Sequence, residues 1–211
     1  MFNVCPSCGE YRVDKTIRQT KDGACAICPS CNHPHPFLRL PLFVVTGASG
    51  TGKSTLALQL SNLTKDVVVM ETDILWDNRY NEPETNYRAY REMWLRTAKN
   101  IAQAGKPVVL CGTAMPDQLE NCEERRYFEA IHYIALVCES RLLEERLKRR
   151  PSWRASGSDE FVQAMVGYNQ WLIGHGPANT PAIATLDTSM DSTEESARKA
   201  LAVISAAMMQ S

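Results

Sequence analysis

The stretch FVVTGASGTGKSTLAL, residues 43–58, decides the fold. Together with the leucine before it, its first half is an unbroken apolar run with the length of a buried strand. Its second half continues as STLALQLSNL, with leucine recurring at helical intervals. Between the two lies Gly47-x-x-x-x-Gly52-Lys53-Ser54, with Gly50 inside it. Glycines let the backbone close around an anion with its N–H groups turned inward, and a helix starting near Lys53 adds the positive end of its dipole. A strand, this loop and a helix in that order form a cradle for the phosphates of a nucleoside triphosphate, taken as ATP. Gly47, Gly50, Gly52, Lys53, Ser54 and Thr55 are the candidate phosphate-binding residues, with Lys53 at the β- and γ-phosphates and Ser54 on Mg²⁺.

Outward from this loop, strand and helix patterns alternate. DVVVMETD, PVVLCGT, IHYIALVC and AIATLDTS read as four more buried strands. Tyr87, Tyr90, Trp94 and Ile101 mark one helix face that Gly105 and Pro107 end, and RLLEERLKRR, capped by Ser140, stops at Pro151. Phe161, Met165, Tyr168 and Leu172 mark another helix, ended by Gly174. Ser192 and Glu195 form a capping box for a last one carrying Ala197, Leu201, Ile204 and Met208. The expected fold class is α/β, a three-layer sandwich around a five-stranded parallel sheet, with ligands at the carboxyl ends of the strands.

The glycine-rich loop and the five-strand remainder resemble the adenylate kinase-like group of P-loop kinases, which includes shikimate, gluconate and nucleoside kinases; the resemblance spans residues 41–211. It implies an ATP-dependent phosphotransferase. In that group the second strand often ends in an acidic pair, supplied here by Glu71 and Asp73 in METDILW. Read as a strand end, the two carboxylates share a face, so one can serve Mg²⁺ and the other the acceptor hydroxyl; the resemblance implies Asp73 as the base on the acceptor side and Glu71 as the group on the Mg²⁺ side. ERLKRRPSWR resembles the mobile lid, with Arg146, Arg150 and Arg154 as candidates to cover the transferring phosphoryl group and Arg150 as the single choice. For Trp153, packing is favoured over stacking on a base. CGTAMPDQLE departs from adenylate kinases, which carry an arginine after the third strand for the acceptor phosphate. A hydroxyl acceptor on a small molecule, a nucleoside or small polyol, therefore comes first. A nucleoside monophosphate, held by Arg79, Arg88 or Arg91, comes second. The pocket is expected around Trp76, Tyr80 and Tyr87.

Upstream, CPSCG (residues 5–9) and CPSCN (residues 28–32) are near-identical knuckles. Four thiolates from Cys5, Cys8, Cys28 and Cys31 complete a tetrahedral Zn²⁺ shell, with Cys25, His33 and His35 close enough in sequence to exchange with one of them. Cys111 and Cys138 fall on strands and read as core. Residues 1–40 are thus a zinc ribbon and residues 41–211 the kinase domain. Eight cysteines, five of them before residue 32, suit metal binding in the cytoplasm rather than a disulfide framework. A net charge of −1 argues against a general nucleic-acid binder, though the ribbon keeps a nucleic-acid-associated ATPase or a kinase of polynucleotide ends as a further alternative. No apolar run reaches the roughly 20 residues a membrane helix requires, and no membrane partner is expected.

Overall fold

The computed structural model describes residues 3–21, 23–154 and 156–209. The chain first forms a three-stranded antiparallel sheet, β1 (Thr16–Thr20), β2 (Gly23–Ile27) and β3 (Pro34–Phe37), in sequential order. The two cysteine knuckles flank it with the same backbone turn: Gly9 N–H donates to the Cys5 carbonyl at 2.9 Å, and Asn32 N–H to the Cys28 carbonyl at 2.8 Å. Both donors sit at positive φ, 77° and 60°. Glycine and asparagine tolerate that conformation best, which explains why these residues close the knuckles.

The main sheet comprises β4 (Leu42–Gly47), β5 (Val68–Glu71), β6 (Val108–Cys111), β7 (Ile131–Val137) and β8 (Ile183–Asp187). All pairings are parallel, in the order β5-β6-β4-β7-β8. Among the described residues, six α-helices accompany this sheet: α1 (Lys53–Leu63), α2 (Arg88–Ala102), the short α3 (Pro116–Glu120), α4 (Ser140–Lys148), α5 (Asp159–His175) and α6 (Thr193–Met208). Side chains alternate across each strand. Leu42 and Val44 therefore enter one core with Trp94, Leu95 and Leu172 of α2 and α5, while Phe43 and Val45 enter the other with Leu56, Leu60 and Ile204 of α1 and α6. Cys111 and Cys138 are buried in these layers, as expected of core thiols.

The five strands expected from the sequence all form. Two helix boundaries differ. Glu139 occupies the cap position of α4 without a side-chain cap bond, and Ser140 is its first residue, accepting instead from Gln170 Nε2 at 3.3 Å. α5 runs past Gly174 to His175, because a single helical glycine costs only about 1 kcal/mol and neighbouring packing outweighs it. The capping box of Ser192 and Glu195 forms as read. Among the described residues, no helix is long and apolar enough to cross a membrane.

Candidate functional site

β4 is the central strand: the chain leaves it for β5, returns to β6, then crosses to β7 on the opposite side, so the crevice opens above its carboxyl end. The loop after β4 fills that crevice. Gly47 has φ 136°, and a Cβ there would lie 2.4 Å from the Leu136 carbonyl oxygen, so the loop departs from the sheet only with glycine at this position. α1 starts at Lys53. Lys53 Nζ folds back to donate to the carbonyls of Gly47 at 2.8 Å and Ala48 at 3.0 Å. Burial pushes this ammonium down to about 8, with Asp73 pulling against the shift and Arg150 adding to it. A cleft of about 240 Å³ is lined by Gly50, Gly52, Lys53, Ser54 and Thr55 together with Asp73, Thr113 and the arginines at 146, 150 and 154. The loop, the acidic turn and the lid arginines read from separate stretches of sequence thus meet in one place.

Glu71 and Asp73 do not share a strand face. β5 ends at Glu71, and the chain turns at once into a 3-10 turn, Thr72–Leu75, that carries Asp73. Asp73 lines the phosphate cleft, whereas Glu71 lies beside Cys111 of the neighbouring strand and does not line it. Two contacts hold the turn. Tyr90 Oη donates to the Thr72 carbonyl at 2.6 Å. Gly112 gives Thr72 its space, since a Cβ on Gly112 would fall 1.8 Å from Thr72 Oγ1.

Asp73 and Thr113 also line a second, adjoining pocket of about 440 Å³. Its walls are aromatic: Trp76 meets Tyr90 edge-on at 5.1 Å and Tyr87 at 6.1 Å, and Tyr168 closes the far side. Arg91 is buried in it, donating through one terminal nitrogen to the Thr113 carbonyl (3.0 Å) and Gln118 Oε1 (3.1 Å), while its Nε has no partner. Burial holds the Arg91 guanidinium below its ordinary value, against the pull of Tyr90. Trp76 and Tyr87 stand where the sequence suggested; Tyr80 instead packs against Tyr90 from the core side. Arg79 is exposed and paired with Asp77, and Arg88 pairs with Glu92, so neither lines this pocket.

The lid arginines have distinct environments. Arg146 donates to the Thr188 carbonyl at 3.1 Å and lines a third cleft of about 270 Å³ with Gly52, Thr55, Thr188 and Asp191, on the side of the loop away from Asp73. Burial and Arg154 lower Arg150 from its ordinary value, while Asp73 pulls it back. The Arg154 guanidinium lies 4.7 Å above the Trp153 ring. Trp153 is 75% exposed, so the expected packing is replaced by a surface cation–π pair.

At the other end of the molecule, the sulfurs of Cys5, Cys8, Cys28 and Cys31 all lie within 4.8 Å of one another. Cys5 and Cys31 are 3.7 Å apart, Cys8 and Cys28 3.8 Å. A tetrahedron of thiolates about 2.3 Å from Zn²⁺ has edges of about 3.8 Å, so the donor set fits that ion. The backbone N–H of Cys8 pulls the Cys5 thiol down to about 6, while at Cys8 the Glu10 backbone N–H is outweighed by burial and the neighbouring thiols, which push that thiol up to about 12. Cys25, on β2, and His33 and His35 fall outside the cluster.

Thr113, Gln118, Met165 and Tyr168 on the acceptor side, and Thr188 and Asp191 beside Arg146, carry no motif and were not legible in the sequence.

The same architecture occurs in several solved proteins. A sugar kinase from Janibacter sp. HTCC2649 superposes with a TM-score of 0.56 at 15% identity, over 81% of this chain and 97% of that one. A gluconokinase from Sinorhizobium meliloti 1021 gives 0.56 at 18% identity, over 82% and 95%. The shikimate kinase of Acinetobacter baumannii, in complex with shikimate, gives 0.51 at 18% identity, over 79% and 94%. At these identities the likeness is one of fold, the P-loop kinase fold. No curated protein matches the chain. Residues 44–164, more than half of the chain, match the family described as "AAA domain", and the chain belongs to that family.

Proposed function

We propose that this protein is an ATP-dependent kinase that transfers the γ-phosphoryl group to a hydroxyl of a small molecule, best a nucleoside or small polyol. The observation that carries this reading is Asp73, which lines both the phosphate cleft and the adjoining pocket. A carboxylate at the junction of donor and acceptor spaces suits a base that takes a hydroxyl proton. The acceptor oxygen then bonds to the γ-phosphorus, the bond from that phosphorus to the β–γ bridging oxygen breaks, and ADP departs. Gly47, Gly50, Gly52 and Thr55 hold the phosphates through the loop backbone, Lys53 swings from its two carbonyls to the β- and γ-phosphates, and Arg150, with Arg154, neutralises charge on the moving group. Ser54 would ligate Mg²⁺, which supplies charge neutralisation across the phosphates. Arg146, beside Thr188, is better placed for the nucleotide base than for the moving group. In this division residues 1–40 form a zinc-binding module and residues 41–211 the catalytic one.

Arg91 favours one further reading. A buried guanidinium with a free Nε suits an acceptor that also bears an anionic group, as a nucleoside monophosphate does. Steady-state kinetics on a panel of nucleosides, monophosphates, sugars and a 5′-hydroxyl oligonucleotide separates the two. With a hydroxyl acceptor, Asp73→Asn lowers kcat by about 10²-fold or more and leaves ATP affinity nearly unchanged. A nearly silent Asp73→Asn with acceptor KM raised by Arg91→Ala moves the assignment to the monophosphate. Failure of every acceptor to be phosphorylated overturns both.

A further inference from the structure

The zinc-ribbon module and the acceptor pocket are attached to opposite ends of the same helix. At its C-terminal end α2 holds the ribbon: the side chain of Gln103 accepts from Leu38 N–H at 2.9 Å and donates to the Leu38 carbonyl at 3.0 Å. One turn earlier, the buried Lys99 donates to Asn3 Oδ1 at 2.6 Å and to Glu124 Oε2 at 2.5 Å, and Arg96 donates to Glu124 Oε1 at 2.8 Å. The turn of residues Glu123–Tyr127 completes the seat: Tyr127 meets Phe37 edge-on and its hydroxyl donates to the Val13 carbonyl at 3.0 Å.

At its N-terminal end the same helix builds the acceptor pocket with Tyr87, Tyr90 and Arg91, and through Tyr90 it fixes the turn that carries Asp73. Arg91 and Gln103 are separated by about 18 Å of continuous helix, a stiff element across which displacement at one end reaches the other. The chain enters α2 through two successive left-handed residues: Asn86 at φ 57°, which asparagine tolerates and which Asp117 and Gln118 hold through its side chain, and Tyr87 at φ 59°, where a bulky residue is strained. Such a conformation persists only when its surroundings hold it in place.

We propose that the ribbon positions the acceptor pocket, with Gln103 and Lys99 as positioning residues that hold α2 against the strain at Tyr87. The kinetic part of this proposal rests on the acceptor reading above. A loosened far end lets the entry relax, moving Tyr87, Arg91 and the Asp73 turn while leaving the glycine loop and α1 in place.

The test is Gln103→Ala in the full chain. Hydrogen exchange followed by mass spectrometry is the first readout. Gln103→Ala should speed exchange at residues 86–92 and leave residues 47–60 unchanged, and zinc removal by chelation or Cys8→Ser should do the same. The second readout is the kinetic split: acceptor KM rises about fivefold, the worth of one net hydrogen bond, and kcat falls with the displaced Asp73 turn, while ATP KM stays within twofold. Faster exchange confined to the ribbon and residues 99–103 overturns the proposal, as does an equal rise of both KM values. If no acceptor is phosphorylated, the hydroxyl-acceptor reading fails and the exchange pattern alone decides the coupling.

Discussion

Gly112→Ala tests whether the Asp73 turn is as closely fixed as the geometry indicates. The added methyl would lie 1.8 Å from Thr72 Oγ1, 2.9 Å from its Cβ and 3.0 Å from its Cγ2, where ordinary contact begins at 3.4 Å. Rotating Thr72 about χ1 removes the shortest contact but not the one to Cβ, so its backbone must also move. It has little room: Thr72 is buried, and its carbonyl is tied to Tyr90. Overpacking of this kind costs about 1–3 kcal/mol. At roughly 2–4 °C per kcal/mol for a chain of this size, the melting temperature should fall by several degrees. The catalytic effect should be larger than the loss of stability implies. Asp73 follows Thr72 directly, and a misplacement of about 1 Å costs on the order of 10²-fold in rate. The assay pairs steady-state kinetics on the best acceptor with direct titration of ATP. Expected are a kcat lowered by about 10- to 100-fold and an ATP affinity within twofold. Thr72→Ala in the same chain removes two of the three clashing atoms and should restore part of the loss. A Gly112→Ala enzyme with wild-type kcat and melting temperature would refute the argument that this turn positions the base.

Three further outcomes follow from the geometry. Lys53→Ala should abolish ATP turnover with circular dichroism unchanged. In the wild type, ATP affinity should fall by up to tenfold per pH unit above about 8: the free lysine loses its proton there, the phosphates bind the protonated form, and binding must take a proton up. Calorimetry in buffers of different ionisation enthalpy reads that uptake, and an affinity flat from pH 7 to 9.5 would contradict it. The purified protein should hold about one Zn²⁺ per chain by elemental analysis, lost in the Cys5→Ser, Cys8→Ser double variant; full retention of zinc by that variant would remove the ribbon assignment.

The sequence alone determined the glycine loop, the five strands and the metal knuckles, because each is signalled by neighbours along the chain. An apolar run, a 3.6-residue period or a C-x2-C pair reports a local conformation or one ligand turn, and burial of a parallel strand on both faces leaves little alternative. Tertiary structure decided what lies between those elements. The acceptor pocket gathers the turn after β5, α2, the loop after β6 and α5; the spacing of Met165 and Tyr168 marked a helix face, but only the fold brings that face into the pocket. The pairing of Glu71 with Asp73 looked like a strand face, but the strand ends at Glu71, and only the packing of Thr72 against Gly112 and Tyr90 fixes where Asp73 points. Lys99 and Gln103 read as ordinary polar positions on a helix until the ribbon folds back onto them, since a side chain's role at an interface depends on what the rest of the chain brings to it.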